Sequence, residues 1–172
     1  VNSCLQTLSV TIGDLNGPAA TITASGSVSC YGGNDGFATT AVTGGTPPYD
    51  YLWDDPLSQA APTAANLPAG LYTVSATDTN GCVASTSVTI TQPDSLIFNP
   101  ALTDPSCFGD CDGFAGVSMA GGTVPYTYQW NDPGSQTTAG ATGLCAGIYS
   151  VNIADNNGCT TIGTFGLADP LP

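Results

Sequence analysis

A ten-residue stretch, Gly44-Gly45-Thr46-Pro47-Pro48-Tyr49-Asp50-Tyr51-Leu52-Trp53, returns as Gly121-Gly122-Thr123-Val124-Pro125-Tyr126-Thr127-Tyr128-Gln129-Trp130, 77 residues further on. The same step carries Cys30 to Cys107, Leu67 to Leu144, Tyr72 to Tyr149, Asp78 to Asp155 and Cys82 to Cys159, with no gap between anchors. A fixed period of this length marks an array of a 77-residue unit. It divides the 172 residues into a module at 18–94, a second at 95–172 and an N-terminal remainder at 1–17. Modules this short bury thin cores and generally need a staple.

Within a module the apolar pattern has period two. Tyr72, Val74 and Ala76 alternate with Thr73, Ser75 and Thr77, and Tyr149, Val151 and Ile153 repeat the arrangement. Such alternation gives a strand one apolar and one polar face. Tyr49, Tyr51 and Trp53 share a face in the same way, as do Tyr126, Tyr128 and Trp130. Strands are expected near 19–26, 37–43, 49–53, 70–77 and 83–91, with a short edge strand near 58–63, and the same set 77 residues later. Gly, Pro, Asn and Asp clusters separate them, and Asn80-Gly81 and Asn157-Gly158 are hairpin turns because both residue types tolerate positive φ. No useful helical periodicity is present. The reading is all-β: tandem Ig-like sandwiches of about 77 residues. Only Gln92-Pro93-Asp94-Ser95 separates the strands of one module from those of the next, a short, proline-stiffened joint.

Composition excludes several functions. The chain has no Lys, Arg or His, and its 13 acidic residues are all Asp, for a formal charge of −13. Without cations it cannot neutralise phosphates, so nucleic acid is not a partner. Anionic membrane surfaces repel it, and no apolar run approaches the ~20 residues of a membrane span. No signal-peptide pattern opens the chain, as in a mature or excised segment. The residue types that build Ser-His-Asp and Cys-His machinery are missing, so no catalytic residue is assigned. Trypsin-like proteases find no site, which suits a long-lived extracellular part. Lys–Asn isopeptide crosslinks are also ruled out.

Seven cysteines then point to an oxidising compartment. Cys30 and Cys82 stand 52 residues apart, as do Cys107 and Cys159. Bridges between the members of each pair are worth roughly 4 kcal/mol in the chain-entropy model; the alternative is four free buried thiols. Cys111 and Cys145, which replace Asn34 and Pro68 of the first module, are expected to form a further bridge. Asn2-Ser3-Cys4 resembles Asn80-Gly81-Cys82, and Ser9-Val10-Thr11-Ile12 resembles Ser87-Val88-Thr89-Ile90. Residues 1–17 thus read as the tail strand of a preceding module, or as a strand contacting a neighbouring subunit. Cys4 is then an intermolecular or lost-partner thiol.

Turns rich in Asp are the remaining candidate sites. Asp35, Asp78, Asp110, Asp112 and Asp155 lie on short loops with oxygen-only side chains, which suits Ca²⁺. No EF-hand spacing is completed, and Asp in such turns commonly hydrogen-bonds its own backbone. Trp53 and Trp130 read either as a sugar-stacking platform or, from their alternation, as core. Asp94-Ser95-Leu96 resembles the Asp-Ser/Thr-hydrophobic glycosylation sites of secreted Bacteroidetes proteins, with Ser95 as the acceptor.

Four motifs recur in order in both modules: C-x-G-x-x-D-G, GGTxPYxYxW, L-x-A-G-x-Y from Leu67 and Leu144, and D-x-N-G-C. Together they resemble SprB-type repeats of large Bacteroidetes cell-surface and gliding-motility adhesins. The extra Cys111 and Cys145 and the absence of basic residues depart from that pattern. The resemblance implies an Ig-like sandwich, export to the cell surface and a role in adhesion or gliding, with no catalytic residues. The expectation is a protease-resistant spacer whose partners are neighbouring repeats or identical subunits. A glycan-binding module or a pilus-like subunit is the alternative.

Overall fold

Alternating apolar side chains and glycine-rich breaks produce twelve strands in the computed structural model, which describes residues 17–171. The first six are β1 (Ala19–Gly26), β2 (Gly36–Thr43), β3 (Asp50–Trp53), β4 (Thr63–Leu67), β5 (Gly70–Thr77) and β6 (Val83–Ile90). The next six are β7 (Ile97–Thr103), β8 (Gly113–Ala120), β9 (Thr127–Trp130), β10 (Gly140–Leu144), β11 (Gly147–Ala154) and β12 (Thr160–Leu167). From β2 to β6 every boundary recurs 77 residues later in β8 to β12. The described residues include no helix long and apolar enough to cross a membrane. The expected remainder at 1–17, Cys4 included, lies outside the described residues except for Gly17.

Each set of six makes two three-stranded sheets. Their orders are β1-β2-β4 and β3-β5-β6 in the first set, and β7-β8-β10 and β9-β11-β12 in the second. The pairings of β3 with β5, β7 with β8, β8 with β10, β9 with β11 and β11 with β12 are antiparallel. By compactness the chain divides into one unit of 17–25, Ala38–Ala64 and Leu71–Thr89, and another of Gly26–Phe37, Ala65–Gly70 and 90–171.

The inward face of the second set forms one core: Ala115, Val117, Trp130, Ala141, Leu144, Val151, Ile153, Phe165 and Leu167. Phe98 meets Phe165 edge-on at 5.9 Å, and Trp130 lies 6.0 Å from Phe165. The first set buries Ala38, Trp53, Ala64, Leu67, Val74, Ala76 and Ile90, each 77 residues before a member of that core. One fold is therefore written twice. Removing a core indole of this kind costs about 3–5 kcal/mol.

One expected strand is displaced. The edge strand placed near 58–63 forms instead as β4, Thr63–Leu67. The preceding residues are held in a turn: Ser58 has φ 49° and donates its N–H to Asp55 O at 2.9 Å. Ladder-like pairing begins only where Thr40 N–H reaches Pro62 O, at 2.8 Å. A bulge then interrupts β10 between Thr142 and Leu144, with Gly143 at φ 69°. Asn66, at φ 56°, occupies the matching position of β4, and Asn is a side chain that tolerates this region.

Candidate functional site

Two of the repeated motifs fold together. In Asp78-Thr79-Asn80-Gly81-Cys82 the Asp78 carboxylate accepts N–H bonds from Asn80 and Cys82 at 2.9 Å and from Thr46 at 3.0 Å. A Cβ on Gly45, at φ 62°, would stand 2.9 Å from Asp78 Oδ2, so the double glycine before Thr46 admits the carboxylate. Asp155 repeats this with Thr123, Asn157 and Cys159, all at 2.9 Å. Tyr49 and Tyr126 close the same loops by donating to Gly44 O and Gly121 O at 2.5 Å. The glycine-rich motif and the Asp-x-Asn-Gly-Cys motif are thus two halves of one device that presents a cysteine.

The cysteine it presents in the second set is bonded. Cys159 forms a disulfide with Cys30, across a sequence separation of 129, and both lie in the second compact unit. Asn157 Nδ2 donates to Ser29 O at 3.0 Å beside the bridge. Cys111 is bonded to Cys145, as expected from their joint appearance in one module. Cys82 and Cys107 are free and exposed.

The expected bridges Cys30–Cys82 and Cys107–Cys159 are therefore corrected: Cys30 is joined to Cys159 instead. The reason is strand length. Gly109 N–H donates to Asp169 Oδ1 at 3.3 Å, and Ala168 N–H to Asp104 Oδ1 at 2.8 Å. The Cys107 loop therefore lies beside the exit of β12, whereas Cys159 precedes its first residue. Eight strand residues span about 26 Å, and a disulfide needs Cα atoms within roughly 7 Å. Within a repeat the two cysteines sit at opposite ends.

The carboxylates of Asp35 and Asp112 also serve the backbone. Asp35 accepts Ser29 N–H at 2.9 Å, and Asp112 accepts Ser106 N–H at 2.8 Å and its hydroxyl at 2.6 Å. Asp110 donates its own N–H to Cys107 O at 3.0 Å. Among the described residues no three His, Cys, Asp or Glu side chains gather where they could hold a metal ion. Asp110 and Asp112 share the loop before β8, and Asp35, Asp78 and Asp155 lie on three other turns.

Trp53 and Trp130 are buried, and their indole N–H groups donate at 2.9 Å to Ala61 O and Thr138 O. Exposed aromatic surface falls instead on Phe37 and, more fully, on Tyr31 and Phe108, matched positions that are 60% and 64% exposed. Ser95 is exposed in the joint.

Asp55 and Asp132 are structural residues that the sequence reading passes over. Both are buried. Asp55 accepts N–H bonds from Leu57 at 3.1 Å and Gln59 at 2.8 Å, with Gln59 Nε2 at 2.9 Å; Asp132 does the same with Gly134 and Gln136. The available signal is Asp-Pro-x-Ser-Gln, repeated at 55–59 and 132–136. Burial raises the carboxyl pKa at Asp55, Asp78, Asp132 and Asp155, but the donated hydrogen bonds outweigh it and hold all four below the ordinary carboxylate value. At Asp35 and Asp112 the serine donors lead, with the same net direction.

No curated protein sequence matches this chain. Among solved structures it is similar to the N-terminal eight Ig domains of a Down Syndrome Cell Adhesion Molecule isoform, with TM-score 0.50 and 16% identity over 88% of this chain and 27% of that one. It is also similar to the mouse nectin-like molecule 4 ectodomain, with TM-score 0.39 and 12% identity over 90% of this chain and 65% of that one. The chain thus spans about a quarter of the first structure's length, and at such identity the likeness concerns fold alone. The family profile described as the SprB repeat matches residues 22–58 and 99–135, one stretch in each set of strands. The fold is thus an Ig-like β-sandwich plan, and each set of six strands contains one stretch that the SprB-repeat profile matches.

Proposed function

We propose that this chain is a non-enzymatic spacer segment of an extracellular, cell-surface adhesin, with modules at 18–94 and 95–172 that hold a binding part away from the cell. The observation that carries this reading is the strict recurrence of strands, turns and buried core at one spacing, with both tryptophans inside. Most of the candidate carboxylates are committed to turns, and four of the cysteines to bridges. SprB repeats fit such a role, with neighbouring repeats as the first partners. Ser95 in the joint is the glycosylation acceptor this reading assigns.

Scaling of length with repeat number tests it. Proteins of two, four and six repeats are measured by small-angle X-ray scattering. A maximum dimension rising in proportion to repeat number supports a stiff spacer. A rise with its square root, the behaviour of a flexible chain, overturns it.

A glycan-binding module is the second reading, favoured by exposed Tyr31 and Phe108 at matched positions. Saturable binding on a glycan array that is lost in Tyr31→Ala and Phe108→Ala would establish it.

A further inference from the structure

In a repeat, Cys30 and Cys107 hold the upstream position, and Cys82 and Cys159 the downstream one. The observed bridge joins the upstream cysteine of the first repeat to the downstream cysteine of the second. Applied along an array, that connection has a definite consequence: each repeat is joined covalently to the next. Within this chain the rule leaves two thiols over. Cys82 needs an upstream cysteine from a repeat before the first, and Cys107 a downstream cysteine from a repeat after the second. Among the described residues these two are the free cysteines, and both are exposed.

Each of them already sits in the conformation of its bonded counterpart. Cys82 N–H reaches Asp78 Oδ1 at 2.9 Å, as Cys159 N–H reaches Asp155 Oδ1 at 2.9 Å. Gly81 and Gly158 have φ 82° and 81°. On the other side, Asp110 N–H donates to Cys107 O at 3.0 Å, as Gly33 N–H does to Cys30 O at 3.0 Å. Asp112 holds Ser106 N–H at 2.8 Å as Asp35 holds Ser29 N–H at 2.9 Å. The amide that accompanies the bridge is also in place: Asn80 Nδ2 donates to Thr46 Oγ1 at 2.8 Å, whereas Asn157 Nδ2 shares itself between Thr123 Oγ1 at 3.2 Å and Ser29 O at 3.0 Å. A thiol held in advance in its bonded geometry loses little freedom on pairing.

We propose that Cys82 and Cys107 are the two open ends of an inter-repeat disulfide ladder, and that the partner of each is the complementary cysteine of an adjoining SprB repeat. Bond formation joins two thiols, releasing two protons and two electrons; a small-molecule disulfide such as oxidised glutathione accepts them and leaves as two thiols. This holds whether the array serves as a spacer or as a glycan binder.

The test uses the full chain with Cys4→Ser, extended after residue 171 by one further copy of residues 95–171. It is refolded in a glutathione redox buffer, alkylated and mapped by peptide mass spectrometry. Cys107 is expected to lose at least tenfold of its alkylation relative to the unextended chain and to appear bonded to the added copy's counterpart of Cys159, while Cys82 stays free. Serine at that added cysteine should return Cys107 to the free thiol and leave Cys30–Cys159 intact. Cys107 remaining equally alkylated, or pairing with Cys159 of its own repeat, overturns the proposal. A second measurement needs no added repeat. The unextended Cys4→Ser chain is oxidised at high concentration, and its intermolecular bridges should be predominantly Cys82–Cys107. Random proportions of the three possible pairs, or no intermolecular bridge, count against it.

Discussion

The two repeats share a backbone plan but solve the same problems with different side chains. On β2 and β4, Thr39 and Thr63 join hydroxyls across the strands at 2.9 Å. Their counterparts on β8 and β10 are Gly116 and Gly140, which pair directly. The Phe114 ring covers both: a Cβ would meet it at 2.6 Å on Gly116 and at 2.7 Å on Gly140. An aromatic lying over paired glycines restores the contact area that the missing side chains remove. Inside the second repeat, Phe98 and Phe165 stand where the first has Thr21 and Val88, and Gly163 replaces Thr86 to admit them. Beneath the same repeat, Cys111–Cys145 takes the place of Asn34 and Pro68. A fold of this kind is specified by its turns and its period, and leaves latitude in how each layer is filled.

The disulfide difference should break most visibly. Cys111→Ser opens a bridge of sequence separation 34 and should cost the second repeat about 3–4 kcal/mol by the chain-entropy argument. Calorimetry should show the loss confined to residues 95–171. Equal destabilisation of both repeats would mean that they do not fold as separate modules.

A smaller effect concerns the aromatic layer. A methyl group added at Gly163 would lie 2.7 Å from the Phe165 ring and 3.1 Å from Phe98. Gly163→Ala should therefore cost about 1–3 kcal/mol through overpacking. Thr86→Ala in the first repeat only trims a half-buried side chain, and should cost less than about 1 kcal/mol, the span of strand propensity. Denaturant midpoints of the two variants give the contrast directly, and equal shifts would remove the case for a distinct aromatic core.

The smallest difference is expected in pH dependence, because the aspartate turns are common to both repeats. The folded-state pKa is lowered at Asp55, Asp78, Asp132 and Asp155 from 3.8. The unfolded chain then binds more protons as pH falls, so the stability these groups contribute is present above about pH 4 and is lost through the lower folded values. Having no histidine, the chain should melt at nearly constant temperature between about pH 5 and 8 and then lose stability in both repeats together. Asp55→Asn and Asp132→Asn should reduce that acid sensitivity to similar extents.

Much of this was legible because alternation and turn chemistry are local. Tyr72-Thr73-Val74 and Asn80-Gly81 carry their own instructions, and β5 lies where period two places it. The bridge partners were not legible, because spacing does not say at which end of a strand a loop will lie. Cys107 and Cys159 look like partners until the length of β12 is set between them. Asp55 was hidden for a related reason: Asp-Asp-Pro signals a break in a strand, but not that its carboxylate turns inward to gather three donors.

The bond between Cys30 and Cys159 also determines where tension travels. Residues between those two positions, 129 apart in sequence, form a covalently closed loop that force applied at the chain ends bypasses. While the bond is intact, stretching can draw out only the segments outside it. With the Cys111–Cys145 bridge, of separation 34, still closed inside it, reduction would release a contour of roughly 330 Å at about 3.5 Å per residue, so a single thiol exchange would turn a short tether into a long one.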